Sequence, residues 1–236
     1  MSEAPSERAA PPFPGWAAVG AAIRFLTPAG APGRVDASAV YYPLVGLVIG
    51  AVWLVTDRLV SPLAGQSLAS VAVVLVGIGL TGGRALLALG RALLGRFGGS
   101  TAAVYVAAGL LAGLEIGLVE ALGRYRPVGL LFAPLLGCCS LVVLAVGARE
   151  ARADGRRVKF APLVTFREFG VASTATFALI FLTTEFLGLV LILYAAALSL
   201  AARVGLHRWR GGVDDITLRA TGAAIELSVL VLLVAL

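Results

Sequence analysis

The densest run of residues equipped for chemistry is HRWRGGVDDITLRATGAAIE, residues 207–226. Its adjacent carboxylates, Asp214 and Asp215, suit Mg2+, a cation that takes oxygen ligands and binds together with substrate phosphates. His207, Arg208 and Arg210 stand beside them with N–H donors and positive charge for a phosphate. Gly211 and Gly212 let a ligand approach the backbone closely. Glu226 follows eleven residues after Asp215, about three helical turns deeper if the stretch is one helix. The competing reading of the same run is a plain basic loop with aspartates capping the next helix.

Three carboxylates, Glu115, Glu185 and Glu226, lie inside apolar runs. A charge at the centre of a bilayer costs at least about 2.5–3.5 kcal/mol on insertion scales, so such residues face a cavity or a partner. Glu185 has a second reading, as a turn residue at a membrane surface. His207 is the single histidine, which removes mechanisms needing several. The absence of GxxxxGK[ST], of GxGxxG opening a helix and of HExxH argues against nucleotide-hydrolysing, dinucleotide-binding and zinc-protease classes. Cys138 and Cys139 are adjacent within an apolar run and lack the spaced partners of a metal site, so they read as packing residues.

The elements that must position these residues are membrane helices. Of 236 residues, 59% are hydrophobic and 14% charged, with a mean hydropathy of +0.97. Soluble domains carry about a quarter charged residues. Apolar runs of spanning length cover about 39–56, 64–81, 100–122, 128–147 and 217–236, with a longer one over 171–203. One helix over 171–203 would be about 50 Å long against a roughly 30 Å core, so a short hairpin turning near Thr183-Thr184-Glu185 is expected. Loop charge agrees: with the hairpin, only Arg58, Arg124 and Arg126 of 19 Lys and Arg fall on the second side. The N-terminus and the basic loops are therefore expected in the cytoplasm. The net charge of +6 is explained by this topology, with no nucleic-acid partner.

Residues 84–97, RALLALGRALLGRF, place Arg84 and Arg91 two turns apart among leucines and predict an amphipathic helix in the membrane interface. Gly46/Gly50 and Gly109/Gly113/Gly117 have the GxxxG spacing that lets helices approach. Residues 1–15, rich in Pro, Ala, Ser and Glu, read as a disordered tail, and 16–236 as one transmembrane domain. The fold expected is thus an all-α polytopic bundle of about seven membrane segments, including the hairpin, plus the interfacial helix.

Several segments, in order, resemble one family. FLTPAG (25–30) and YYPLVGLVIGAV (41–52) look like its opening, LLFAPLLG (130–137) its centre, and GGVDDITLRATGAAIELSVLVLLVAL (211–236) its closing block. The family is adenosylcobinamide-GDP ribazoletransferase, or cobalamin-5'-phosphate synthase. The resemblance implies a Mg2+-dependent transferase of late cobalamin assembly in the inner membrane. It would join adenosylcobinamide-GDP to α-ribazole or its 5'-phosphate and release GMP. Corrinoid and nucleotide substrates, the lipid bilayer, and a homo-oligomer or a complex with other cobalamin-assembly proteins are the implied partners. Carried onto this chain, it assigns Asp214, Asp215 and Glu226 to catalysis, Asp214 and Asp215 to the metal, and Gly211, Gly212, Thr217, Arg208, Arg210 and Gly222 to substrate. The chain departs from the family where an acidic HLDGLADT-like motif follows the second span: Leu87 and Arg91 stand where its first aspartates align. That leaves a non-catalytic relative, or a small transporter using Glu115, Glu185 and Glu226, as alternatives to an active enzyme.

Overall fold

The computed structural model describes residues 16–27, 39–94, 99–147, 152–153, 156–157, 164–210 and 212–236. Residues 1–15, expected as a tail, lie outside them. The chain is an all-α multi-pass membrane bundle. In order, its helices are α1 (Trp16–Leu26), α2 (Tyr42–Ala64), α3 (Gln66–Thr81), α4 (Arg84–Leu94), α5 (Thr101–Ala121), α6 (Arg126–Ala145), α7 (Phe166–Arg210) and α8 (Asp215–Ala235). A two-residue antiparallel pairing, Arg152–Ala153 with Arg156–Arg157, lies between α6 and α7.

Among the described residues, five helical stretches are long and apolar enough to cross a bilayer: 39–64, 101–121, 123–145, 166–208 and 215–235. The pair α3 and α4, bent by 87°, makes a sixth candidate. Helix α6 is the axis of the bundle, with 78% of its most apolar window buried against 17% for α5. Small residues set that core. A Cβ at Gly46 would stand 2.6 Å from the Pro134 carbonyl oxygen, and one at Gly50 would collide with that of Leu131, so both glycines admit α6 to the backbone of α2. Gly222 of α8 meets Gly137 and Leu141 of α6 in the same way. By contrast, a Cβ at Gly109, Gly113 or Gly117 would meet nothing within 4 Å, so that second GxxxG series makes no helix contact.

These contacts fix direction. Gly46 lies opposite Cys138 and Gly50 opposite Leu131, so α2 and α6 run antiparallel. Gly222 opposite Leu141 and Gly129 opposite Leu230 make α8 antiparallel to α6. The starts of α2, α5 and α8 and the ends of α3 and α6 therefore gather at one end, together with the arginine-bearing connection between α6 and α7. This is the basic end of the bundle; the other is the far end.

Helix α7 reverses on itself. Glu185, at φ 49° and ψ −123°, leaves the helical region and enters the left-handed φ range that a side chain occupies at a cost of order 1–3 kcal/mol. In a straight helix, residues 180 and 188 would be about 12 Å apart along the axis. Here a Cβ at Gly188 would lie 2.8 Å from the Ile180 carbonyl oxygen. The two arms also dock on one stretch of α6: Thr176 bonds Cys139, while Arg203 reaches the Val143 carbonyl at 3.3 Å. Cys139 and Val143 are one turn apart, whereas a straight α7 would separate Thr176 from Arg203 by about 40 Å. The expected hairpin is present, and its turn falls at Glu185.

Helix α4 leaves α3 almost at a right angle, the attitude of a helix lying along the membrane plane. It is more deeply seated than a surface helix. Ala88 and Leu89 pack on Ala220, Ala223 and Leu227 of α8, and Gly90 abuts the Val104 carbonyl of α5. Arg84 turns inward and donates to the Thr27 carbonyl at 3.2 Å, whereas Arg91 is exposed.

Candidate functional site

A cavity opens where α4 crosses the bundle, between α2, α3, α5, α6 and α8, and encloses about 800 Å³ including its mouth. One face of α8 supplies Arg219, Gly222, Ala223, Glu226 and Leu227, at positions i, i+3, i+4, i+7 and i+8. Two turns separate Arg219 from Glu226, so Glu226 sits about 10 Å deeper, farther from the basic end. Gly137 of α6 gives it room: a Cβ there would stand 3.2 Å from the Cβ of Glu226. Across the cavity, α5 contributes Glu115, only 6% exposed, and the two carboxylates lie within electrostatic reach of each other. Arg84 of α4 and Thr81 of α3 complete the polar lining, and Ile49, Val74 and Leu141 are among its apolar walls.

The arrangement is graded. Guanidinium groups stand toward the basic end and carboxylates in the interior, on apolar walls where charge interactions are weakly screened. An anionic group is accommodated at Arg84 and Arg219, and a hydrogen-bond donor at Glu115 and Glu226. Trp53 of α2 also lines the wall. It is 3% exposed, and its indole N–H has no hydrogen-bond partner among the described residues.

The site residues expected from sequence divide into two groups. Glu226 and Gly222 line the cavity. Asp214 and Thr217 form the N-terminal cap of α8: the Asp214 Oδ1 accepts from the Thr217 N–H at 2.7 Å, and the Asp214 N–H donates to the Thr217 Oγ1 at 2.9 Å. Asp215 pairs with Arg219 one turn on, with 2.9 Å between Oδ1 and Nε. Both aspartates thus stand at the entrance of α8 in helix-terminal roles, and none of Asp214, Asp215 and Thr217 is part of the cavity lining. Gly212 is buried in the bend before α8 and Arg208 is exposed. Gly211 and the side chain of Arg210 lie outside the described residues. His207 Nδ1 is 2.9 Å from the Arg203 carbonyl oxygen, inside its own helix. Among the described residues, no three of His, Cys, Asp and Glu gather as a metal site.

Sequence reasoning does not reach Thr81, Arg84, Arg219 and Trp53 of the lining. Arg84 reads in sequence as one charge of an interfacial helix, and Arg219 as one of the basic residues that collect on the cytoplasmic side. Trp53 carried no signal beyond its place in an apolar run. The signal available was periodicity: Arg219 and Glu226 share a helix face with two small residues between them.

A second polar cluster, at the far end, was also missed. Arg126 donates to Asp57 Oδ1 from Nε at 2.9 Å and from Nη2 at 2.7 Å, to the Val119 carbonyl at 2.8 Å and to the Ser70 hydroxyl at 3.0 Å. Asp57 and Arg126 are 8% and 7% exposed. This cluster ties α2, α3, α5 and α6 together.

No curated protein and no solved structure matches the chain. Half of the residues that line the cavity, from Leu26 to Leu86, fall within a segment that a family model matches. That segment is residues 18–89 and the family is described as cobalamin-5-phosphate synthase, which supports a membrane protein of cobalamin biosynthesis and bears out the resemblance carried by FLTPAG and YYPLVGLVIGAV.

Proposed function

We propose that the protein is a membrane-bound ribazoletransferase-like enzyme of late cobalamin assembly, working from the cytoplasmic face of the inner membrane. The observation that carries this reading is the cavity, built jointly from the family-matched segment and one face of α8. Arg84 and Arg219 hold the phosphates of adenosylcobinamide-GDP. The α-ribazole (or its 5'-phosphate) hydroxyl oxygen attacks the phosphorus linking cobinamide to GMP. The new P–O bond forms as the bond to GMP breaks, and the hydroxyl proton passes to a carboxylate, a role assigned in this reading to Glu226 of the cavity lining. Catalysis of this kind is mostly positioning and charge stabilisation.

Magnesium, implied by the family resemblance, is poorly served by this chain's own residues. The Asp214 carboxylate caps α8 and that of Asp215 pairs with Arg219, while no larger donor group gathers among the described residues.

The test is a transferase assay on purified membranes with adenosylcobinamide-GDP, ribazole substrate and Mg2+. The expected result is GMP release matched by condensed product, and loss of both in Glu226→Gln. The second reading, a non-catalytic relative, is favoured by Leu87 and Arg91 on α4 where the family aligns aspartates. Binding of GMP or corrinoid without any turnover would decide for it. Cysteine labelling at Gly82 from the cytoplasm, and at Gly65 from outside, checks the orientation.

A further inference from the structure

Among the described residues that line the cavity, Trp53 carries a buried polar atom with no partner. An indole nitrogen is a donor and never an acceptor. Buried donors almost always find a partner, yet this one has none and is nearly inaccessible. Its ring edge lies against Gly77, where a Cβ would stand 2.6 Å from Nε1, and both residues line the cavity. The surrounding walls supply no partner: Ile49, Val74 and Ile78 are apolar, and the Thr81 hydroxyl, which donates to the Gly77 carbonyl, does not accept from the indole. The missing acceptor is therefore sought in whatever enters, with the ring edge shifting off Gly77 to present its N–H. A molecule entering also meets Arg84 and Arg219 near the mouth and Glu115 and Glu226 within. Those groups call for an anion at one end and hydrogen-bond donors at the other.

We propose that Trp53 is a ligand-binding residue of this cavity, its indole N–H donating to an oxygen of a hydroxyl-bearing phosphate ester whose phosphate lies toward Arg84. The inference rests on the reading of the cavity as the substrate site. The same chemistry comes from two sources, a soluble nucleotide or the headgroup of an anionic phospholipid.

The chain has three tryptophans, so the Trp16→Phe, Trp209→Phe variant leaves Trp53 as its sole indole reporter. In phosphatidylcholine nanodiscs, titration with GMP should shift its emission saturably, and Arg84→Gln should abolish the shift. In the otherwise native chain, Trp53→Phe should weaken GMP binding by about fivefold, the worth of one neutral hydrogen bond. A shift in phosphatidylglycerol nanodiscs that GMP neither causes nor reverses would support Trp53 as a ligand donor and assign the ligand to the lipid. Emission unmoved by GMP and by phosphatidylglycerol, with GMP affinity unchanged in Trp53→Phe, overturns the inference. Failure of the functional reading is distinguishable: a GMP-dependent shift without transfer leaves Trp53 in place and removes the enzyme. Transfer with an unchanged KM in Trp53→Phe does the reverse.

Discussion

The far-end cluster around Arg126 and the cavity near the basic end both bury arginine and carboxylate in an apolar bundle, yet they are completed in opposite ways. At the far end a single guanidinium is met by a carboxylate, a hydroxyl and two backbone carbonyls drawn from neighbouring helices. In the cavity, Glu115 and Glu226 face each other, Arg84 is held by one carbonyl, and the Trp53 N–H meets nothing. Buried polar groups that satisfy one another hold helices together; groups left facing a space are available to a ligand. The family-matched segment contributes to both, with Asp57 and Ser70 in the first and Trp53, Thr81 and Arg84 in the second.

The comparison breaks most visibly at Arg126. Replacing it with Met strands the buried Asp57 carboxylate and should cost roughly 3–5 kcal/mol, read as a lower denaturation midpoint in detergent. Adding Asp57→Leu should recover most of that loss. If Arg126→Met unfolds normally, the far-end cluster is not the lock it resembles.

Next in size is Arg84→Gln in the cavity. Loss of a charged hydrogen-bond donor to a ligand phosphate is worth roughly 1.5–3 kcal/mol, or about 10- to 100-fold in binding. Thermal stability should stay near that of the native chain, the reverse of the pattern at Arg126. Equal losses of stability and binding would erase the distinction between the two regions.

Asp214→Ala should act as a cap deletion, costing about 1 kcal/mol of stability and leaving turnover within a few-fold. A loss of roughly a thousandfold in turnover with stability intact would instead place a catalytic metal ion on Asp214 and Asp215, since each 1.36 kcal/mol is tenfold in rate. A small gain rather than a loss is expected at Gly113→Ala, at most about 1 kcal/mol, because a Cβ there meets nothing within 4 Å and Ala is the better helix former. Gly50→Ala, forced against the Leu131 carbonyl, should be clearly destabilising in the same denaturation assay.

Much of the fold was legible because its signals are local. Apolar runs, the pair Thr183-Thr184 before Glu185, and the side on which arginines collect together gave the spans and the hairpin. The repeat around Arg84 and Arg91 gave α4, although its depth depends on Ala220 and Ala223, more than a hundred residues away. The candidate site was legible in Glu115, Glu226 and Gly222. The helix-terminal contacts of the aspartate pair were not legible, because adjacency in sequence says nothing of the Thr217 N–H that Asp214 meets or the Arg219 guanidinium that Asp215 meets. Asp57 and Arg126 were illegible for a similar reason, being 69 residues apart and drawn from a spanning helix and a helix start. The two GxxxG series show the same limit: one spacing, with a neighbour at Gly46 and Gly50 and none at Gly109 to Gly117.

The reversal at Glu185 has a consequence for parity. A chain that enters and returns contributes an even number of crossings, so the end of α6 and the start of α8 lie on the same side whatever depth the turn reaches. The hairpin is thus topologically silent: excising 166–210 and rejoining the flanks should leave every other helix with its direction unchanged. Removing α3 alone, by comparison, would invert everything that follows it. A segment that can be gained, lost or lengthened without inverting its neighbours is free to vary in ways the other spans are not.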